Sequence, residues 1–457
     1  MTSTVATPIH PGDLEPSLLN GHTYLTRRRL MKLDAATLIS LMLVLLTAIP
    51  ARLIIPGTTD VGRPAIVLCL VMFSWWVLVR FNPNLVLVGP QPMRWALLIY
   101  WLSILASYGA GFLRGLTGME ANSSDRWLIS TAAFSGLVLA AADGITNWER
   151  FRSVLRAFVW SAAFLALIGL IEMALSRDVT QYLVIPGLAE KGAAPPLQAR
   201  GGGLRVASNT SHYIELSAVL ATALPFAIHL ARYSATKKQR RLIAVAALLI
   251  GAGIPATISR TGIVAVLIMA LCLMPLWTWR LRYNGLLSCL AMLGVLAAAK
   301  PSFAATLLDM FTKFNDDPSI TSRTERYELV GYYFAQTPWL GRGTGTWVPP
   351  QYQYLDNQWL ATALCNGIVG IVALALLYLI ALTLALLALK RATTPEDKHV
   401  CAALVSTQLI AMFVSATFDS LWFDTYATTV ALTLGLCGAV WRFTHPARQI
   451  RTSTVGH

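Results

Sequence analysis

Residues 359–389, WLATALCNGIVGIVALALLYLIALTLALLAL, contain no charged side chain, and Lys390 and Arg391 follow at once. A helix of about 20 apolar residues is enough to cross the ~30 Å hydrocarbon core of a bilayer. The stretch therefore reads as a transmembrane helix with a basic edge. Working outward in both directions, apolar stretches of roughly 17–25 residues recur from Asp34 to Phe443. They fall near 34–55, 64–80, 93–113, 126–143, 153–175, 212–231, 241–257, 261–278, 284–300, 359–389, 400–418 and 424–441. The composition agrees: 56% of the 457 residues are hydrophobic, 13% are charged and the mean hydropathy is +0.59. A soluble chain carries nearer 25% charged residues, so a soluble protein is excluded. The predicted fold class is an all-α polytopic membrane protein with about twelve transmembrane helices.

The net charge of +14 has a membrane explanation rather than a nucleic-acid one. When the connecting segments are numbered alternately, one set holds 22 of the 36 Lys and Arg residues, from Arg27, Arg28, Arg29 and Lys32 to Arg442, Arg448 and Arg451. The positive-inside rule makes that set cytoplasmic, together with both termini. Three units follow: a cytoplasmic tail 1–33, one transmembrane domain 34–443 and a cytoplasmic tail 444–457. The first apolar stretch lacks a small-residue cleavage site and reads as an uncleaved span. Cys69, Cys272, Cys289, Cys365, Cys401 and Cys437 lie in or beside apolar stretches without a CxxC pair, as small core hydrophobes. No HxxxH or HExxH pattern occurs, so neither a metal nor another cofactor is expected.

Two segments of the opposite set are long, 176–211 and 301–358. The second is rich in aromatics, Phe311, Phe314, Tyr327, Tyr332, Tyr333, Phe334, Trp339, Trp347, Tyr352 and Tyr354 among them, and predicts a structured outer-side loop between helices 9 and 10. Residues 320–336 read as a helix stopped by Pro338, followed by a Gly-rich turn, WLGRGTGTW.

Arginines on this side oppose the charge bias, and ionisable groups at a membrane edge are functional candidates. Arg260, in TISRTG, reads either as a charge snorkelling to the interface or as a fixed ligand group. Arg200 and Arg205 flank three glycines in ARGGGLRVASN, a loop that is either flexible or able to approach a ligand closely. Arg323 and Arg326 share a helical face in SRTERYELVGYYF and either pair with Glu325 and Glu328 or face a substrate. Guanidinium grips phosphate oxygens bidentately, so three such loops point to a membrane-embedded phosphate or diphosphate. Asp356 and Asn357 stand where the long loop re-enters the membrane, as a helix cap or as a catalytic pair. His212, Glu172, Glu215, Asp419 and Asp424 are the other polar groups near outer helix ends, each a packing residue or a catalyst.

These pieces, in this order, resemble the bacterial O-antigen ligases and the related O-antigen polymerases and protein O-oligosaccharyltransferases. The resemblance spans roughly residues 200–440 and rests on SRTG with Arg260, on SRTERYELVGYYFAQTPWLGRGTGTW with Arg323 in place of the family arginine, and on DNQWLATALCNGIVG. In the last piece Asn357, Leu360, Leu364, Gly367 and Gly370 match, whereas Asp356 stands where the ligases have their proposed catalytic His. The resemblance implies a GT-C-like glycosyltransferase of the bacterial inner membrane, acting in lipopolysaccharide or cell-surface polysaccharide synthesis at the periplasmic face. Its donor would be a glycan on a polyprenyl (undecaprenyl-type) diphosphate, and its acceptor the hydroxyl of a glycan or lipid-glycan. Arg260, Arg323, Arg205, Arg200 and Arg326 would hold the diphosphate in place of a metal, with Asp356 as base, Asn357 positioning the hydroxyl and inversion at the anomeric centre. A polymerase of the same family, a lipid-linked glycan flippase, and a metal-dependent transferase using Asp60 are the alternatives. The flippase reading expects repeated halves, which the sequence lacks.

Overall fold

The computed structural model describes residues 34–58, 61–81, 89–191, 198–200, 203–299, 305–306, 312, 318–349 and 351–446. The tail 1–33 with its basic cluster, Asp60, Phe311, Phe314, Arg448 and Arg451 lie outside the described residues. Thirteen α-helices form among those described: α1 (Ala35–Ala48), α2 (Pro64–Val79), α3 (Pro92–Arg114), α4 (Gly118–Gly144), α5 (Trp148–Leu175), α6 (Tyr213–Tyr233), α7 (Lys237–Ala256), α8 (Arg260–Leu273), α9 (Trp279–Ala299), α10 (Pro318–Gln336), α11 (Gln358–Arg391), α12 (Pro395–Val414) and α13 (Asp424–Phe443). Two small antiparallel ribbons, β1 (Leu53–Ile54) with β2 (Ala189–Glu190) and β3 (Ala199–Arg200) with β4 (Gly203–Leu204), join loops.

Every apolar stretch contains a helix, and α10 is the extra one. Eight helices, α3–α7, α9, α11 and α12, are long and apolar enough to cross a bilayer. That is fewer than the twelve expected. The helices α1, α2 and α8 are shorter in regular form, and α13 is diluted by the buried Thr425, Thr428, Thr429 and Thr433. Local capping explains the shifted boundaries. α4 starts at 118 because Thr117 and Glu120 form a reciprocal capping box, and α12 starts at Pro395 because the Thr394 hydroxyl receives the Asp397 N–H. Helix α6 is the centre of the bundle, with α9 at its rim, since 83% of the apolar window of α6 is buried against 6% for α9. Outward-facing Leu267, Leu271, Leu290 and Val295 are all more than half exposed, an apolar surface suited to lipid. All six cysteines are free, and Cys289 on α9 faces outward rather than into the core.

The loop sets read from the sequence segregate to opposite ends. At one end Asp143 accepts from Arg80, Arg94 and Trp76 at 2.7–2.9 Å, and Arg152 pairs with Glu396 at 2.8 Å. The other end gathers the candidate site residues around a helix that is broken on purpose by its sequence. Inside α11, Gly367 adopts φ +64°, ψ −160°, which interrupts the hydrogen-bond ladder. Segment 338–345 repairs it: the N–H groups of Arg342 and Gly343 donate to the carbonyls of Leu364 and Cys365 at 2.8 and 3.0 Å. In return Ile368 and Val369 N–H donate to the carbonyls of Pro338 and Trp339 at 2.8 and 3.2 Å. The fit needs glycine. A Cβ on Gly341 would lie 2.4 Å from the Cys365 carbonyl carbon, and one on Gly367 would lie 2.4 Å from that of Trp339. Ser123 fastens the segment to α4 through the Gly345 carbonyl at 2.7 Å, and Thr344 reaches the Ile104 carbonyl of α3 at 3.0 Å.

Candidate active site

Asp356 and Asn357 take separate roles at the start of α11. The Asn357 Oδ1 is the N-cap, accepting from the N–H groups of Trp359 and Leu360 at 2.9 and 3.2 Å. That leaves the Asp356 carboxylate for other work. Asp356 has φ +49°, a left-handed conformation that costs a non-glycine residue roughly 1–3 kcal/mol. Asp419, in the loop between α12 and α13, holds it there: its two oxygens accept from the N–H groups of Asp356 and Asn357 at 3.2 and 3.1 Å. The Asp356 side chain is 44% exposed, open to a partner molecule, and accepts from the Arg326 guanidinium at 2.5 Å. Arg326 reaches it from α10 and also donates to the Leu355 carbonyl at 3.2 Å.

Across from this pair stand His212 and Arg205. His212 caps α6, its Nδ1 accepting from Ile214 N–H at 3.3 Å, and its ring lies against Tyr213 and Phe423. Burial and the Arg205 charge push the imidazole down to about 4, with Asp356 acting in the opposite sense. It is therefore uncharged at neutral pH. Burial and the neighbouring Asp356 charge push Asp419 up to about 6, in spite of its backbone donors. The Arg205 guanidinium lies 4.3 Å from the centre of the Tyr213 ring and donates to its hydroxyl. Arg260 opens α8, half-buried, next to Gly262, whose missing Cβ lets the helix approach Ser217 of α6. It thus enters at the end of α6 that carries His212. Arg323 belongs to α10 and Arg200 to β3, and the side chains of both lie outside the described residues. Among the described residues, no three His, Cys, Asp or Glu side chains come together as a metal-binding group.

The arrangement provides an exposed carboxylate fixed beside a cation, and a neutral imidazole with the Arg205 guanidinium near it. It suits proton acceptance next to a bound anion. Residues 244–375 match a family model described as O-antigen ligase. The match supports an O-antigen ligase family membrane protein. No curated protein matches the chain. The O-antigen ligase match opens within α7 and closes within α11, so it covers Arg260, Arg323, Arg326, the Gly-rich segment, Asp356 and Asn357. Arg200, Arg205, His212 and Asp419 fall outside it.

Sequence reasoning named Asp419 and His212 only among several polar groups, and it passed over Arg63. That arginine, 2% exposed, donates to the Thr425 hydroxyl at 3.0 Å and to the Leu46 carbonyl at 3.1 Å, 3.8 Å from Asp424. Beside it the buried Glu215 accepts from the N–H groups of Ser211, Thr425 and Tyr426, which ties the starts of α6 and α13 together. The available signal was an arginine directly before Pro64 on the charge-poor side.

Proposed function

We propose that the chain transfers a glycan from a polyprenyl (undecaprenyl-type) diphosphate to an acceptor hydroxyl at the outer face of the cytoplasmic membrane. The observation that carries the proposal is the release of Asp356 from capping by Asn357, with its carboxylate exposed at 2.5 Å from Arg326. In this reading Asp356 takes the hydroxyl proton as the acceptor oxygen attacks the anomeric carbon. The bond from that carbon to the diphosphate oxygen breaks, its electron pair leaves with the polyprenyl diphosphate, and the centre inverts. Arg260, Arg205, Arg200 and Arg323 stabilise the charge that develops on the leaving group. Arg326, whose sequence context allows pairing with Glu325 or Glu328 or a place on the diphosphate, sets the position of Asp356 in this reading. Asn357 orients the segment through its cap.

The test is the surface-glycan profile, with mass spectrometry of polyprenyl-linked intermediates, in a deletion strain complemented with wild type, Asp356→Asn, Asn357→Ala or Arg260→Ala. Asp356→Asn is expected to slow transfer by about 10²–10⁴, the usual loss for a positioned base. Arg260→Ala is expected to lose the mature glycan as well. Asn357→Ala is expected to cost about 1 kcal/mol of stability as a lost cap, with a smaller loss of glycan. Accumulation of full-length lipid-linked chains supports ligation, and accumulation of single repeat units supports a polymerase. A normal glycan from both Asp356→Asn and Arg260→Ala overturns the proposal.

A further inference from the structure

Gln358 and Tyr378 both belong to α11 and would lie about 30 Å apart on an unbroken helix. Both touch Ser415. The Gln358 N–H donates to the Ser415 carbonyl at 2.8 Å, and the Tyr378 hydroxyl and Ser415 Oγ are hydrogen-bonded at 3.1 Å. The rings of Trp359 and Tyr378, 6.0 Å apart, record the same approach. The break at Gly367 therefore folds the start of α11 back along the rest of the helix, and loop 415–421, between α12 and α13, touches both halves.

The loop and the folded-back start hold each other. Three successive N–H groups of α11 and its entry donate into the loop: those of Asp356 and Asn357 to the Asp419 carboxylate at 3.2 and 3.1 Å, and that of Gln358 to the Ser415 and Phe418 carbonyls at 2.8 and 3.2 Å. In the other direction the Leu421 N–H donates to Gln358 Oε1 at 2.9 Å, while Gln358 Nε2 donates to the Thr362 hydroxyl at 3.2 Å. Ser415 Oγ and Ser420 Oγ are hydrogen-bonded at 2.9 Å. Gln358 is 3% exposed, and Tyr378, Ser415 and Ser420 are 0% exposed. Water cannot replace a partner lost at such depth, so these bonds keep the loop in one place. The left-handed backbone at Asp356 requires a frame of this kind, because a strained conformation persists only where its surroundings over-determine it.

We infer that Gln358, Tyr378, Ser415 and Ser420 are positioning residues for the transfer. They fix loop 415–421, the loop fixes Asp419, and Asp419 fixes the backbone that aims the Asp356 carboxylate. The inference rests on the proposed function, in which Asp356 is the base.

The experiment uses the full-length protein. Hydrogen exchange of the 356–358 amides is followed by mass spectrometry in nanodiscs, alongside binding of undecaprenyl diphosphate. Transfer is read in the complemented deletion strain as mature surface glycan relative to lipid-linked precursor, per amount of folded protein. Gln358→Met is expected to speed exchange of these amides by about tenfold or more. It should slow transfer by about tenfold to a hundredfold, the penalty of a misplaced reacting group, with diphosphate binding unchanged. Tyr378→Phe keeps the ring and should move both readouts the same way by less; it decides the matter if Gln358→Met fails to fold. Thr433→Val, which removes a buried hydroxyl bonded within α13, is the control and should leave both at the wild-type level. Wild-type exchange and transfer in Gln358→Met and Tyr378→Phe overturn the inference, as does a transfer loss matched by an equal loss of diphosphate binding. Normal transfer from Asp356→Asn overturns the proposed function and this inference with it. Slow transfer from Asp356→Asn beside normal transfer from Gln358→Met and Tyr378→Phe removes the inference alone.

Discussion

Asp419 holds the backbone at Asp356 and His212 feels the Asp356 charge, and the protonation equilibria of the two are displaced in opposite directions. Asp419 is raised to about 6, so the folded state binds its proton more tightly than the unfolded chain does. The stability this contributes is complete below the ordinary carboxylate range and is lost as pH rises through about 6. His212 is lowered to about 4, so its contribution is present above the ordinary imidazole value and is lost as pH falls toward about 4. The two slopes oppose each other across the interval from about 4 to 6. Measuring Tm against pH should expose each by removing the other. Relative to wild type, His212→Gln should make stability fall more steeply with rising pH, and Asp419→Asn should make it rise. Parallel curves for all three proteins would show that these groups do not titrate as described.

At the scale of elements, the decisive feature is the exchange of hydrogen bonds between segment 338–345 and the broken helix α11. Gly341→Ala places a methyl against backbone that cannot yield and forces a left-handed φ of +70° on alanine. Overpacking and strain together should cost roughly 2–6 kcal/mol, measured as lost thermal stability in detergent. Gly331→Ala in α10 is the control. A Cβ there would meet nothing within 4 Å, so alanine should be neutral or gain up to about 1 kcal/mol of helix propensity. The helix Pro318–Gln336 was legible in the sequence as 320–336 with its stop before Pro338, because proline and hydrophobic spacing are local signals. The partnership of Arg342 with Leu364 was not, since nothing in LCNGIVG announces that the carbonyls of Leu364 and Cys365 are borrowed by a loop more than twenty residues earlier.

Across the whole molecule, the buried tie between Arg63, Glu215 and Asp424 joins parts of the chain some 150 and 360 residues apart. Removing the cation with Arg63→Met leaves Glu215 buried without its neighbouring positive charge and should cost about 3–5 kcal/mol. Arg152→Ala breaks an exposed pair with Glu396 and should cost no more than about 1 kcal/mol, both read from thermal unfolding. The same contrast explains what sequence could convey. Apolar runs located every helix of the bundle, and residue type flagged Asp356, Asn357 and Arg326 within one short region. Arg63 and Asp419 gain their meaning only from partners brought close by tertiary packing, Asp419 by receiving two N–H groups from residues more than sixty positions earlier. The loop-repaired break in α11 also limits how the chain can be recombined. Because Gly341 and Gly367 each press on the other segment's backbone, a side chain at either position forces the opposite segment to move. A chimera that takes one segment from a distant relative without the other is expected to be left with a helix break that no loop closes.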